Sequence, residues 1–101
     1  MTSVVYPPEV LRNLRAWAEL AQRMGLKDPF AAAVREMNDC LRDTPESWGD
    51  PQWDYRHLRL TFYQRYGPIL IVRYSVHLDG TPVFVRDVRL TPGSALDKAA
   101  D

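Results

Sequence analysis

Residues 57–66 read HLRLTFYQRY, residues 69–78 read ILIVRYSVHL, and residues 81–90 read TPVFVRDVRL. These three runs decide the fold. Each is rich in β-branched and aromatic residues, and each is bounded by turn chemistry: Gly67-Pro68 after the first, Asp79-Gly80 after the second, Pro92-Gly93 after the third. Asp-Gly between two such runs is a strong hairpin signal, because both residues tolerate the positive φ that a tight turn demands. The stretch therefore predicts three consecutive antiparallel strands.

Alternation along the strands predicts their faces. Leu58, Leu60 and Phe62 form one set in the first run, against His57, Arg59, Thr61, Tyr63 and Arg65. In the second, Leu70, Val72, Tyr74, Val76 and Leu78 oppose Ile69, Ile71, Arg73, Ser75 and His77. The apolar sets are expected to face the core, leaving Arg59, Tyr63, Arg65, Arg73, Ser75 and His77 on an open face. The third run is mixed: Phe84, Arg86, Val88 and Leu90 share one parity, and Val83, Val85, Asp87 and Arg89 the other. A bulge near Arg86 reconciles it with a single core face.

Upstream the period changes to that of helices. Ser3 to Tyr6 is a short strand stopped by Pro7-Pro8, and Pro8 and Glu9 suit a first helical turn. Val10, Leu14, Trp17, Ala21 and Met24 recur at steps of three and four, one apolar stripe, with Gly25 as the stop. Asp28-Pro29 predicts a second start, with Asp28 as N-cap. Phe30, Ala33, Val34, Met37 and Leu41 form its stripe, and Pro45 ends it near Asp43. So short a link makes the helices an antiparallel hairpin. Residues 44–56, TPESWGDPQWDYR, read as a connection whose Trp48, Trp53 and Tyr55 cover an open end of the core or contribute to a binding surface. The prediction is a β-α-α-β-β-β, α+β two-layer domain over residues 1–93. The helical hairpin packs on one face of a mostly antiparallel sheet, and residues 94–101 form a flexible tail or a single helical turn.

The chain has 101 residues and no net formal charge, but the charge is segregated. Residues 1–55 hold six Lys/Arg against nine Asp/Glu, whereas residues 56–90 hold six arginines against two aspartates. A neutral total argues against indiscriminate nucleic-acid binding, which goes with a strongly basic domain. The basic second half predicts a surface for an anion or an acidic partner. Cys40 is the single cysteine, so no internal disulfide forms. With no basic n-region and apolar h-region at the start, the expected compartment is the cytoplasm. No apolar run approaches the roughly 20 residues of a membrane span. Two histidines without a cysteine cluster predict no metal, and there is no glycine-rich phosphate loop. No cofactor is expected.

Element order, length and motifs together resemble the RelE/ParE superfamily of type II toxin–antitoxin toxins over about residues 3–91. The resemblance rests on the early strand ending in proline before an amphipathic helix. It rests also on Leu41-Arg42-Asp43-Thr44-Pro45 followed by Gly49, and on Tyr55-Arg56 ahead of the strands. Its fourth element is Ile71-Val72-Arg73-Tyr74-Ser75-Val76, with an Asp-Gly hairpin and a valine-rich last strand behind it. Membership implies either metal-free cleavage of mRNA in the ribosomal A site or inhibition of DNA gyrase, with a cognate antitoxin that wraps and neutralises the toxin. RNA cleavage needs a base for the 2′-hydroxyl, cations for the phosphorane and an acid for the leaving oxygen. His57, His77, Tyr63 and Arg73 are the candidate catalytic groups; Arg56, Arg59, Arg65, Arg89, Trp48 and Trp53 are the candidate RNA- or partner-binding groups. The meander holds no lysine, and residues 91–101 hold no His or Tyr. The alternative is a non-catalytic interaction module on the same fold, which binds an acidic partner through the arginine-bearing face or a second copy through an edge strand.

Overall fold

The computed structural model describes residues 3–79 and 82–100. Its elements are β1 (Val4–Val5), α1 (Pro8–Arg23), α2 (Lys27–Asp43), α3 (Pro45–Trp48), β2 (Asp50–Tyr55), β3 (Leu60–Tyr66), β4 (Leu70–His77), β5 (Val83–Leu90) and α4 (Ala95–Ala100). The fold is α+β, with a helical hairpin followed by the strands, as the patterns predict. The sheet runs β1-β5-β4-β3-β2. All neighbours are antiparallel except β1, which pairs parallel to β5 through Val4 opposite Val83. The turn between β4 and β5 is only partly described, because Gly80 of the expected Asp-Gly turn lies outside the described residues.

The helical hairpin follows its stripes. Val10 and Ala21 of α1 and Phe30, Met37 and Leu41 of α2 are buried, with Leu14, Trp17, Ala33 and Val34 packed against them. Gly25 takes φ +71°, a left-handed conformation that lets the chain reverse into α2 without a Cβ clash. Two details differ from expectation. Met24 lies past the end of α1 and is exposed. The second helix begins two residues early, at Lys27, so Leu26 holds the cap position and Asp28 sits inside the first turn, where its charge still favours the helix dipole.

The larger correction concerns residues 44–60. The stretch read as a connection contains α3 and a whole extra strand, so the sheet has five strands rather than four. β2 escapes the sequence pattern because it is an edge strand with every residue exposed. Nothing forces apolar alternation on it, and Pro51 is tolerated at an edge. The register between Pro51 and Trp53 shifts by one residue at Gln52. Residues 56–58 form a 3₁₀ turn closed by Arg59 at φ 55°, so His57 and Leu58, expected to begin the next strand, lie ahead of it.

The core lies between the helices and one face of β4 and β5: Leu70, Val72, Tyr74, Val76, Val83, Val85, Val88 and Leu90 are all buried. The mixed pattern of β5 is resolved as expected. Arg73 opposes Asp87 while Tyr74 opposes Val85, which leaves Arg86 as the extra residue of a bulge. That one inserted residue lets Val83 and Val85 point inward before it and Val88 and Leu90 after it. β3 has the opposite facing from the one predicted. Tyr63 lies opposite Tyr74, Arg65 opposite Val72 and Thr61 opposite Val76, so these three share the helix-side face. Leu60, Phe62 and Gln64 take the outer face with His77, Ser75 and Arg73. Leu58 and Leu78, both expected inside, are exposed at the 3₁₀ turn and beyond the end of β4.

At the C-terminus Leu96 is only 3% exposed and α4 packs against α1. Ser94 Oγ accepts the Asp97 amide at 3.2 Å, and Asp97 Oδ2 accepts the Gly93 amide at 2.9 Å, a reciprocal cap that starts this short helix. No helix among the described residues is long and apolar enough to cross a membrane.

Candidate functional site

The inverted facing of β3 divides the predicted site residues between two surfaces. Arg73, His77 and Arg89 lie on the outer sheet face, as does Trp53 through its position opposite Phe62. Tyr63, Arg65 and Trp48 lie on the helix side. Arg56, His57 and Arg59 belong to the 3₁₀ turn and its cap at one end of the sheet.

The outer face is a layer of aromatic rings and guanidinium groups. Trp53 stacks on Phe62 at 5.5 Å between ring centroids, and Tyr55 meets Phe62 edge-on at 5.2 Å. His57 continues the row against Tyr55 at 6.0 Å. Arg86, turned to this face by the bulge, lies 5.4 Å from the Phe62 ring and 5.7 Å from Phe84, and its Nε–H donates to Ser75 Oγ at 3.3 Å. That cover explains why Ser75, a polar residue on a face with no helix over it, is fully buried. Sequence reasoning missed Arg86 and Phe62 as members of this surface and left Tyr55 open between core cover and binding surface. The bulge was the available signal, since an inserted residue redirects one side chain.

Most arginines here have a polar partner. Arg73 Nε–H donates to Gln64 Oε1 at 3.0 Å, and Arg89 Nε–H to Asp87 Oδ2 at 2.7 Å. Arg59 stands 3.8 Å from Asp79, a loose and exposed pair. Among the described residues Arg73 and Arg86 have no carboxylate within ion-pair distance. Beside Arg73, the residues Gln52, Trp53, Phe62 and Gln64 help to line a shallow cavity of about 190 Å³.

The proton-transfer candidates are not gathered around one point. His77 Nδ1 accepts the Asp79 amide at 3.3 Å and faces Asp79 Oδ2 at 3.4 Å, so its partners are local turn groups. Tyr63 is on the opposite side of the sheet, where it stacks nearly parallel on Tyr74 at 5.3 Å. Burial raises the Tyr63 hydroxyl above the ordinary tyrosine range, and the Glu46 and Asp54 carboxylates add to the effect. A hydroxyl so shifted holds its proton and is a poor base at neutral pH. Tyr74 is completely buried; its hydroxyl donates to the Pro45 carbonyl at 2.5 Å and accepts the Gly49 amide at 2.8 Å. Its role is to pin α3 to the sheet. Asp54, placed by sequence on a loop, sits on β2 and accepts a hydrogen bond from Thr61 Oγ1 at 2.7 Å.

Cys40 is half-buried, and its thiol is raised first by burial and then by the nearby Glu36 carboxylate, the reverse of what an activated nucleophile needs. No cluster of three or more His, Cys, Asp or Glu among the described residues is arranged to hold a metal ion. Comparison with protein-family models, with curated proteins and with solved structures finds no match for the chain.

Proposed function

We propose that this chain is a diverged RelE/ParE-type protein that acts by binding. Its outer sheet face engages an acidic, partly apolar segment of the protein that it inhibits, a surface an antitoxin would cover, and its inhibitory action does not run through RNA cleavage. The observation that carries this reading is the composition of that face: Arg73, Arg86 and Arg89 interleaved with Trp53, Tyr55, Phe62 and Phe84. Arginine and large aromatics are the side chains that dominate protein interfaces, since they offer wide contact at low entropic cost. Trp53 and Tyr55 are 54% and 39% exposed, which is expensive hydration for rings with no partner to meet. Two arginines without carboxylate partners give the surface its preference for acidic groups. Against cleavage stands the spread of the candidates: Tyr63 faces the helices, and on the outer face Arg73 and His77 are separated by four residues of β4, roughly 13 Å of strand, whereas a base, an acid and a phosphorane stabiliser must converge on one phosphate.

Induced expression in a bacterial host tests the reading. The expected result is growth arrest with intact ribosome-bound mRNA, relieved when Arg73→Ala and Arg86→Ala are combined in a protein that still folds. Normal growth at high levels of folded protein refutes the toxin reading. Arrest accompanied by newly cut mRNA ends refutes the binding mechanism in favour of an endonuclease.

A further inference from the structure

On the helix side of β3, away from the outer face, Arg65 lines a cavity of about 360 Å³. Its walls are mostly apolar: Ala33 and Met37 from α2, and Ile69, Leu70 and Val72 from the start of β4. Trp48 of α3 forms another wall, with the Arg65 guanidinium 5.8 Å from its ring. Arg65 Nη1–H donates to the Trp48 carbonyl at a long 3.4 Å. Its Nε–H is buried, as is the Trp48 indole N–H, and neither meets an acceptor. Among the described residues no carboxylate lies within ion-pair distance of Arg65, although Glu36 lines the same cavity.

Buried donors without acceptors are rare in folded proteins, and the Arg65 Nε–H and the Trp48 indole N–H are two of them, on residues that are otherwise half-buried. Both donors sit on residues that line one cavity, whose volume is at the small end of the roughly 300–1,000 Å³ range of ligand pockets. We infer that this cavity binds a small apolar monocarboxylate, with the carboxylate on the outer nitrogens of the Arg65 guanidinium beside Trp48 and the hydrocarbon body against Met37, Leu70 and Val72. A carboxylate matches the planar fork of a guanidinium. Glu36 disfavours a second negative charge, which selects a monoanion over a phosphate. The apolar walls select a hydrocarbon body over a sugar or a polar metabolite.

The test is titration of the ¹⁵N-labelled full chain with phenylacetate, read at the Trp48 indole N–H resonance, which is assigned by its loss in Trp48→Phe. A saturable shift is expected. 2-Phenylethanol, of similar size and neutral, and inorganic phosphate are each expected to bind at least about tenfold more weakly, a difference worth a single charged contact. Arg65→Met is expected to weaken phenylacetate by at least about tenfold. If Arg65→Met does not fold, Arg65→Lys replaces it, with a weakening of roughly fivefold or more because the ammonium lacks the fork. No saturable shift by about 10 mM phenylacetate, a very weak limit on the affinity scale, overturns the assignment. Equal binding of the alcohol or of phosphate, or unchanged affinity in the folded Arg65 variant, also overturns it.

Discussion

Tyr74→Phe removes one oxygen atom from the centre of the molecule. The ring stays, with its stack on Tyr63 and its contact with Trp48 at 5.9 Å, so no large cavity opens. What is lost is a hydroxyl that donates to Pro45 and accepts from Gly49, the two residues flanking the rest of α3. Pro45 is buried, so its carbonyl loses its partner in a dry place; Gly49 is half-buried, so water partly replaces its bond. An orphaned buried group costs about 1–3 kcal/mol, and the water-accessible partner adds little, so a loss of about 2 kcal/mol is expected. For a chain of this size that lowers Tm by roughly 10 °C. Urea unfolding followed by tryptophan fluorescence measures the loss. Amide exchange locates it: the Gly49 amide should lose protection, while amides in β5 should fall only with global stability. A loss below about 0.5 kcal/mol, less than one ordinary net hydrogen bond, would refute the idea that this hydroxyl fastens α3 to the sheet.

Gly49→Ala probes the same joint from the other side. A Cβ there would stand 2.7 Å from the Tyr74 hydroxyl and 3.2 Å from the Gln64 backbone, so overpacking of about 1–3 kcal/mol is expected in chemical denaturation. Arg59→Gly should leave stability unchanged or raise it by up to about 1 kcal/mol, since glycine takes φ 55° without strain and the Asp79 contact it removes is exposed. Its thermal midpoint checks this. Tyr6, whose hydroxyl donates to Asn38, is pushed by burial to about 12. The folded state thus holds that proton more tightly than the unfolded chain, where tyrosine titrates near 10. Its contribution is complete below pH ~10 and fades as pH rises toward ~12, and Tyr6→Phe should flatten this decline in a pH series of unfolding midpoints.

Much of the fold is legible in the chain. The stripes from Val10 to Ala21 and from Phe30 to Leu41 specify two helices, because a period of 3.6 leaves no other way to bury them together. Gly25 marks the reversal, and the parity conflict across Arg86 is the written form of a bulge. The working surfaces are less legible. Alternation along Leu60 to Tyr66 separates two sets of residues but does not say which set is inside, since both hold a large aromatic. Phe62 looks like core and Tyr63 like surface, and their real places are reversed.

Tertiary structure makes that decision through register. Tyr63 falls opposite Tyr74, and Tyr74 is fixed to the helix side by its bonds to Pro45 and Gly49. Once Tyr74 faces inward, Arg65 must enter the cavity beside Trp48, and Phe62 must join Trp53 and Arg86 outside. The sequence by itself determines the two long helices and the three meander strands, because local periodicity and turn chemistry act within a few residues; the exposed edge strand β2 carries no such pattern. Which arginine meets an aromatic face, and which lines the helix-side cavity without a carboxylate partner, depends on pairings between strands and helices distant in sequence, and these exist only when the sheet has formed.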